Sequence, residues 1–563
     1  MFRSLIYISF LTLTGAAVSA QTLSYTEKSN GLQTPDMEAG RTEIEFADVD
    51  NDGNVDLVSI GDHGSPHFNA SEHGIMVWFG DGNGNWSAVQ YGEFGYGGVA
   101  LGDVNNDGFL DAAYGYHHNY FPQGDLGDQI LEVALGNGTG LNWMPWDDGL
   151  ATNGEDWGMF GTDLADVDLD GLLDVGSISF GCCAGLHVYR NNGDGSWTQT
   201  FGFLNGNSLQ DFTFGDINGD GFPDIAAAHG NGTVYLGDGT GDFTLADGNL
   251  SGGPLRSGPS LGDVNDDGRD DLAFINNGGI KVFSLVSPGN WQDLSGNLPA
   301  SGGYDLTQIA DMNLDGHGDI LAFRDGSSSP GEVAVFAGDG TGNWQQIASI
   351  TTAPNDDYAA FRAGVDCDHN GYPDVVVIQE EYVGGLPIAW RNRPRLYAES
   401  SHPDQPFLFP AYPRGGETFI AGSVRFLMWH AAIPDDAGNP GIKLEVSTHG
   451  PGGPFTLIAD NLPDNGNYQW LISDSLPSSD NCCIRITLDT QPPLSVVTPE
   501  PFSIVNPNPS LPGDLDGDCD VDQADLGLLL ASYLNDAGGD LDGDGDTDQA
   551  DLGILLANYG QSC

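Results

Sequence analysis

The sequence predicts a mainly β protein in three parts: a seven-bladed β-propeller, a β-sandwich and a small α-helical duplicated module. Three observations carry that reading. A nine-residue acidic motif occurs seven times between residues 48 and 374, its starts spaced 47 to 63 residues apart. A regular period of this size marks a propeller or a solenoid. Period-two apolar segments without the motif follow, from about 396 to 507. A different aspartate-rich segment, running into an apolar stretch, then occurs twice, 26 residues apart.

The chain opens with Arg3, an apolar run from Leu5 to Leu13 and the small residues Val18-Ser19-Ala20. This reads as a secretory signal over 1–20, with a secreted, extracellular or cell-surface mature protein. No later apolar run approaches the length that spans a bilayer.

The first motif is Asp48-Val49-Asp50-Asn51-Asp52-Gly53-Asn54-Val55-Asp56. Oxygen-bearing side chains stand at positions 1, 3, 5 and 9. Glycine at position 6 lets the backbone turn sharply, and position 7, here Asn54, aims its carbonyl inward. Ca²⁺ is a hard ion that takes about six to eight oxygens, and EF-hand loops use this spacing. The alternative for a single copy is an ordinary Asp/Gly turn; recurrence weakens that alternative. The second copy offers Asp103, Asn105, Asp107, Phe109 and Asp111. The third offers Asp166, Asp168, Asp170, Leu172 and Asp174, and the fourth Asp216, Asn218, Asp220, Phe222 and Asp224. The fifth offers Asp263, Asn265, Asp267, Arg269 and Asp271, and the sixth Asp311, Asn313, Asp315, His317 and Asp319. The seventh offers Asp366, Asp368, Asn370, Tyr372 and Asp374.

Each repeat has one plan. An apolar strand enters the loop, a second leaves it, a third follows, and a Gly-rich turn opens a fourth strand on an aromatic, as in Gly80 to Trp86. Four short strands joined by Gly/Asp turns make one antiparallel blade, and closing the units into a ring removes open sheet edges. The seventh repeat lacks its fourth strand. Residues Leu23 to Lys28 are predicted to supply it and close the ring over 21–395; the alternative is a disordered mature N-terminus.

This arrangement resembles the FG-GAP repeats of the integrin α-subunit propeller and its bacterial relatives. The resemblance implies calcium loops on one face, between first and second strands, and ligands on the other. The connections expected on that other face are uneven. Aromatic and histidine residues gather there, and His63, His67, Tyr116, His117, Tyr120, Trp146 and Trp157 are the candidate ligand-binding residues. Exposed rings stack on sugars; the same rings could instead pack their own long loops. Cys182-Cys183 lies among these connections, as a vicinal disulfide or as thiols that are reduced or separately paired. Cys367, at position 2 of the seventh loop, is predicted to face away from the metal.

Residues 396–507 carry alternating segments such as Val424 to Trp429 and Ile442 to Val446, which suggest a β-sandwich. Gly415-Gly416-Glu417 ahead of Trp429, with the Tyr468 strand and the Phe502 close, resembles the immunoglobulin-like domain of the Ser/Thr-rich cell-wall-anchored family. That resemblance implies a spacer or adaptor. Trp429 and Trp470 are predicted core residues.

Residues 508–563 hold the duplicated segment. Asp514, Asp516, Asp518, Asp520, Asp522 and Asp525 precede one apolar helix; Asp540, Asp542, Asp544, Asp546, Asp548 and Asp551 precede the other. Side chains at 1, 3, 5, 9 and 12 again fit calcium, with Asp at 12 where regulatory EF-hands have Glu. The pair closely resembles a type I dockerin, which implies a cohesin-like receptor. Cys519 replaces glycine at position 6 of the first copy, and Gln-Ala fills positions 10 and 11 in both, which leaves partner specificity open. A Cys519–Cys563 clasp is one pairing for the seven cysteines.

Acidic residues number 81 against 16 basic, for a net charge of −65. Nine bound Ca²⁺, seven in the propeller and two in the dockerin-like module, would leave about −47. That charge argues against nucleic acid and anionic membranes as partners. The sequence shows no nucleophile elbow, no His-Glu-x-x-His and no phosphate loop. The leading expectation is a secreted calcium-binding protein whose propeller binds polysaccharide or a surface ligand without catalysis. The alternative is a polysaccharide hydrolase or lyase on the face opposite the calcium loops, and a third is a purely structural surface protein.

Overall fold

The computed structural model describes residues 22–561 apart from 34–36, 39–41, 62–73, 93, 96, 116–125, 153–157, 180, 183–184, 204–206, 327–329, 354–358, 383, 385–389, 435–439, 508–512, 516–520, 536–537 and 542–544. Among the described residues, seven antiparallel sheets of four or five strands are built from strands between Tyr25 and Glu399. Sheet three is typical: Met159–Ala165, Asp174–Ser179, Leu186–Asn191 and Trp197–Phe203, paired in chain order. The first strand of each sheet packs against the first strand of the next, and Ala359–Val365 of the seventh returns to Ile44–Ala47 of the first. This arrangement fits a β-propeller.

Packing explains the strand composition. Second strands such as Asp56–Ile60 and Asp174–Ser179 are buried along their whole length, because both faces of each sheet meet a neighbouring sheet. A strand covered on both sides reads as a continuous apolar run. The outer strand Trp344–Thr351 mixes buried and exposed positions. The apolar clusters therefore form between sheets; one joins Val264, Ala273 and Ile275 of sheet five to Ile320, Phe336 and Trp344 of sheet six.

The N-terminal strand closes the ring as expected. Tyr25–Glu27 pairs antiparallel with Trp390–Glu399, register Tyr25↔Glu399, and so becomes the fourth strand of sheet seven. That sheet continues to Glu399, beyond the composition shift near residue 395.

Inner strands in a ring have no edge partner, so their backbone groups need side-chain partners. Glu43 Oε2 accepts from the backbone N–H of Val99 (3.1 Å) and Thr162 (3.3 Å). Asp163 Oδ2 accepts from Phe214 N–H (2.9 Å), and Asp211 Oδ2 from Gly258 N–H (3.0 Å). Thr307 Oγ1 donates to the Gly258 carbonyl (2.6 Å), and Gln308 Nε2 to that of Ala363 (3.3 Å). Arg362 Nε completes the circuit on Glu45 Oε1 (2.6 Å).

The aromatic that opens an outer strand locks adjacent sheets. Trp86, Trp197, Trp291 and Trp344 donate Nε1–H to the carbonyls of Lys28, Trp146, Ala246 and Leu294, at 2.6 to 2.9 Å. Each acceptor belongs to the preceding sheet or leads out of it.

Residues 407–505 form two further sheets, Phe407–Tyr412 with Val424–Ala432 and Asn467–Leu471, and a six-stranded sheet around Ser479–Leu488. They share one core in which Trp429, Trp470, Phe419 and Phe502 are buried. Among the described residues two helices follow, α1 (Gln523–Ser532) and α2 (Gln549–Asn558), packed on Val521, Leu529 and Leu555. Each begins with a capping box, Asp522 with Asp525 and Asp548 with Asp551, which satisfies backbone donors a helix start leaves free. Among the described residues, no helix is long and apolar enough to cross a membrane.

Candidate metal centres on one face of the ring

All seven motifs link a first strand to a second, so they stand together at one end of the ring. Their shape comes from two reversals of the backbone. Position 6 is a glycine with φ between +78° and +99° in every loop, for example +88° at Gly171 and +99° at Gly316. Position 4 also lies in the left-handed region: Asn51, Asn106, Leu169, Asp266, Leu314 and His369 have φ of 56° to 63°, and Gly219 takes this place in loop four. Leucine rarely adopts that conformation. The position-4 reversal has no uniform residue type, so the sequence does not announce it.

The carboxylates are held by the loop's own amides. In every loop one oxygen of the position-1 aspartate accepts the N–H of the position-6 glycine, at 2.7 to 3.1 Å. The position-9 aspartate reaches back to the N–H of position 2, as Asp174 does to Val167 (2.8 Å). Its other oxygen accepts from the end of the third strand, as from Asn191 N–H (2.7 Å).

In three loops the carboxylates at positions 1, 3 and 9 converge. Ligand oxygens of Asp48, Asp50 and Asp56 lie within 4.8 Å of one another, as do those of Asp166, Asp168 and Asp174 and those of Asp366, Asp368 and Asp374. Burial drives the position-9 carboxyls up, with neighbouring aspartates adding to it: Asp56, Asp111, Asp224 and Asp271 are pushed to about 8. Asp174, Asp319 and Asp374 are raised well above the usual carboxylate range for the same reasons. Position-1 Asp48, Asp166, Asp216 and Asp311 are raised to about 6, again first by burial. Such clusters resist ionisation until a cation neutralises them. An all-oxygen donor set with buried, crowded carboxylates fits a hard divalent ion.

The loops are not equivalent. Asn stands at position 3 in loops two, four and six, and its amide donates to the position-5 aspartate, as Asn105 does to Asp107 (3.0 Å). In loop five Asn265 turns instead to Ser284 Oγ (3.0 Å), and Arg269 pairs with Asp267 through Nε (3.2 Å) and Nη2. A guanidinium thus occupies both oxygens of a proposed ligand there. Asn54, Phe109, Leu172, Phe222, His317 and Tyr372 hold position 7 in the remaining loops, and the His317 ring pairs with Asp266 of the neighbouring loop (2.6 Å).

At the C-terminus Asp546, Asp548 and Asp551 also bring ligand oxygens within 4.8 Å. Gly545 N–H donates to Asp540 Oδ2 (2.9 Å), the same position 6-to-1 bond as in the ring. Asp525 and Asp551, at position 12, are fully buried, and each accepts two backbone N–H groups. Asp516, Asp518, Asp520, Asp542, Asp544, Cys519 and Cys563 lie outside the described residues.

Of the candidate ligand-binding residues, His63, His67, Tyr116, His117, Tyr120 and Trp157 also lie outside the described residues. Trp146 is half-buried, its ring lies over Gly195, and its carbonyl receives Trp197. Trp143 and Phe160, from the same stretch, are each 2 % exposed. Cys367 is buried in the apolar cluster between sheets seven and one, but it does not face away from the metal loop as expected: both its N–H and its thiol meet the Asp374 carboxylate, and burial with the loop aspartates holds the thiol well above its usual range.

The 407–505 unit is seated directly on the metal-loop face. Asn465 Nδ2 donates to Asp48 Oδ2 (3.3 Å) in loop one, and Gln469 makes a two-way pair with the Asp103 backbone in loop two (2.8 and 2.9 Å). Val424 N–H donates to Asp166 Oδ2 (3.0 Å) in loop three, and Arg425 to the Gly221 carbonyl in loop four. Gly416 lies against Gly268 in loop five, and Arg414 against Gly316 in loop six. Ile433 N–H donates to the His369 carbonyl (2.9 Å) in loop seven. Phe426 and Met428 also line a cavity of about 490 Å³ at the centre of the ring, beside Glu43, Glu45, Asp163 and Arg362.

Three segments of the chain match the FG-GAP-like repeat family: 48–114, 166–227 and 311–377. They take in loops one and two, three and four, and six and seven; loop five, with Arg269, falls outside them. No curated protein matches the chain. Solved structures overlap it loosely. A lectin of Agrocybe aegerita, described as recognising non-reducing terminal N-acetylglucosamine, is 21 % identical over 56 % of this chain and 81 % of its own, with a TM-score of 0.37. BBS1N in complex with ARL6DN is 10 % identical over 68 % of this chain and 99 % of that one, TM-score 0.40. The Aleuria aurantia lectin with α-methyl-L-fucoside is 12 % identical over 64 % and 96 %, TM-score 0.32.

Proposed function

We propose that this protein is a secreted, calcium-binding, multidomain binding module. Its seven-bladed propeller engages polysaccharide or another surface ligand without catalysing its turnover. The immunoglobulin-like unit seals one face, and the dockerin-like tail tethers the assembly to a cohesin-like receptor. The observation that supports this reading best is the placement of the metal loops beneath the second β unit. That face is covered, which leaves the opposite face, with its long connections, for a ligand. Calcium in this reading is structural: Asp166, Asp168 and Asp174, and their counterparts in loops one and seven, hold an ion that fixes a hairpin.

The test is a glycan array run in calcium beside reducing-sugar assays on the polysaccharides that score. Saturable binding without product supports the module. Release of reducing ends would replace it with the hydrolase or lyase, and silence in both assays would leave a scaffold. Calcium content by mass spectrometry of the native protein checks the metal reading separately.

A further inference from the structure

We infer that calcium occupancy of the ring and docking of the 407–505 unit are one coupled equilibrium, so that this unit is a calcium-held cap. The inference rests on the calcium reading of the loops. Three observations carry it.

The first is the nature of the seat. The cap touches every loop, and it does so largely at the position-6 glycines, whose placement is set by the loop turn. A Cβ on Gly268 would lie 2.2 Å from the Gly416 carbonyl carbon, and one on Gly371 would lie 2.3 Å from the Phe407 ring. A Cβ on Gly171 would meet the Gly422 oxygen at 2.9 Å, and one on Gly221 the Thr418 oxygen at 3.0 Å. Only Gly108 among them has nothing within 4 Å. Contacts this close tolerate little change in loop shape.

The second is that cap and metal share side chains. Asp48 and Asp166 belong to convergent carboxylate triads, and each also accepts a hydrogen bond from the cap, from Asn465 and from Val424 N–H. Three carboxylates with oxygens within 4.8 Å repel one another unless a cation holds them. Loss of the ion therefore disturbs the acceptors on which the cap sits.

The third is burial. Asp166 is fully buried and Asp48 is 4 % exposed, so an ion in either loop leaves more readily once the cap has lifted. Coupling between two such events is reciprocal: whatever the ion adds to docking, docking adds to ion affinity.

The experiment uses the full chain. Amide exchange at Val424 and Ile433 reports docking, because these N–H groups bond to loops three and seven. Exchange at Val333 to Phe336, buried in sheet six, reports the ring. In calcium all three are expected to be protected. On stepwise chelation, Val424 and Ile433 are expected to exchange at least about tenfold faster before Val333 to Phe336 change. A triple cap variant, R425A/N465A/Q469A, alters no proposed metal ligand. In a calcium titration it is expected to bind the ion at least about fivefold more weakly than the parent chain, within the usual range of coupling strengths. Equal affinities overturn the coupling even if chelation unfolds everything together. Failure of the parent chain to bind calcium would overturn the metal reading and this inference at once, which native mass spectrometry shows directly.

Discussion

Loops three and five have the same nine-residue spacing, the same position-6 glycine and nearly the same backbone, yet they differ in charge. Loop three sets Asp166, Asp168 and Asp174 within 4.8 Å of one another. Loop five has Asn265 at position 3, turned to Ser284, and Arg269 clamped on Asp267. Spacing and glycine specify the turn; the residue types at positions 3 and 7 decide how strongly the turn demands a cation. The seven copies therefore differ in the carboxylates they bring together, with loops one, three and seven at one end and loop five at the other.

Chelation is the largest lever on that comparison. An ion held at a hundredfold over its Kd adds about 2.7 kcal/mol to the native state, so emptying several loops should lower Tm by roughly 10–20 °C. Calorimetry with and without chelator checks this, and an unchanged Tm would put loop three on a par with loop five.

Acidity comes next. In the metal-free chain Asp56, Asp111, Asp224 and Asp271 stay protonated up to about pH 8, against an ordinary 3.8. Their folded pKa is raised, so the native state holds protons that the unfolded chain releases. The contribution is full below about pH 4 and is lost as pH rises through about 8. Urea midpoints of the chelated protein should accordingly be higher at pH 5.5 than at 8.5, and calcium should reverse the order, because ionised carboxylates bind it.

Point substitutions then address each loop. Asp168→Asn should weaken calcium at loop three about tenfold, by removal of one charge from the triad. Arg269→Gln should strengthen loop five about twofold to fivefold, the scale of a partly exposed ion pair. Calcium titrations moving in the same direction for both would break the contrast.

The smallest effect is a control. Trp197→Phe in sheet three and Trp291→Phe in sheet five each remove one Nε1–H bond to a neighbouring sheet. Each should cost about 1 kcal/mol in denaturant melts. Equal losses locate the difference between the two regions in loop charge, and unequal ones locate it in the sheets.

Much of the ring was legible because its signals are periodic. The aspartate spacing marked the loops, and the missing last strand of the seventh repeat pointed to Leu23–Lys28 as its replacement. The second β unit was legible from its alternating segments and its two core tryptophans, but its seating on the loops was not. Its grip uses Asn465, Gln469, backbone N–H groups and glycines, residue types that occur throughout any loop-rich chain. The circuit of Glu43, Asp163 and Asp211 was hidden for a different reason: among 81 acidic residues, three that satisfy inner-strand amides carry no distinguishing pattern. The tryptophans that open outer strands were visible as a recurrence. Their role as sheet-to-sheet staples required knowing which carbonyl each one faces.

The pairing of Tyr25–Glu27 with Trp390–Glu399 has a consequence for biogenesis. Thr26 and Ser400, joined by a hydrogen bond, are 374 residues apart in the chain. Seven sheets can accumulate one by one on a nascent polypeptide, but the last waits for its first-made strand. Until then Trp390–Glu399 presents an unpaired edge, the kind of surface that recruits other chains. Deletion of residues 22–28 should therefore leave a protein that accumulates its sheets normally and then self-associates along that one edge.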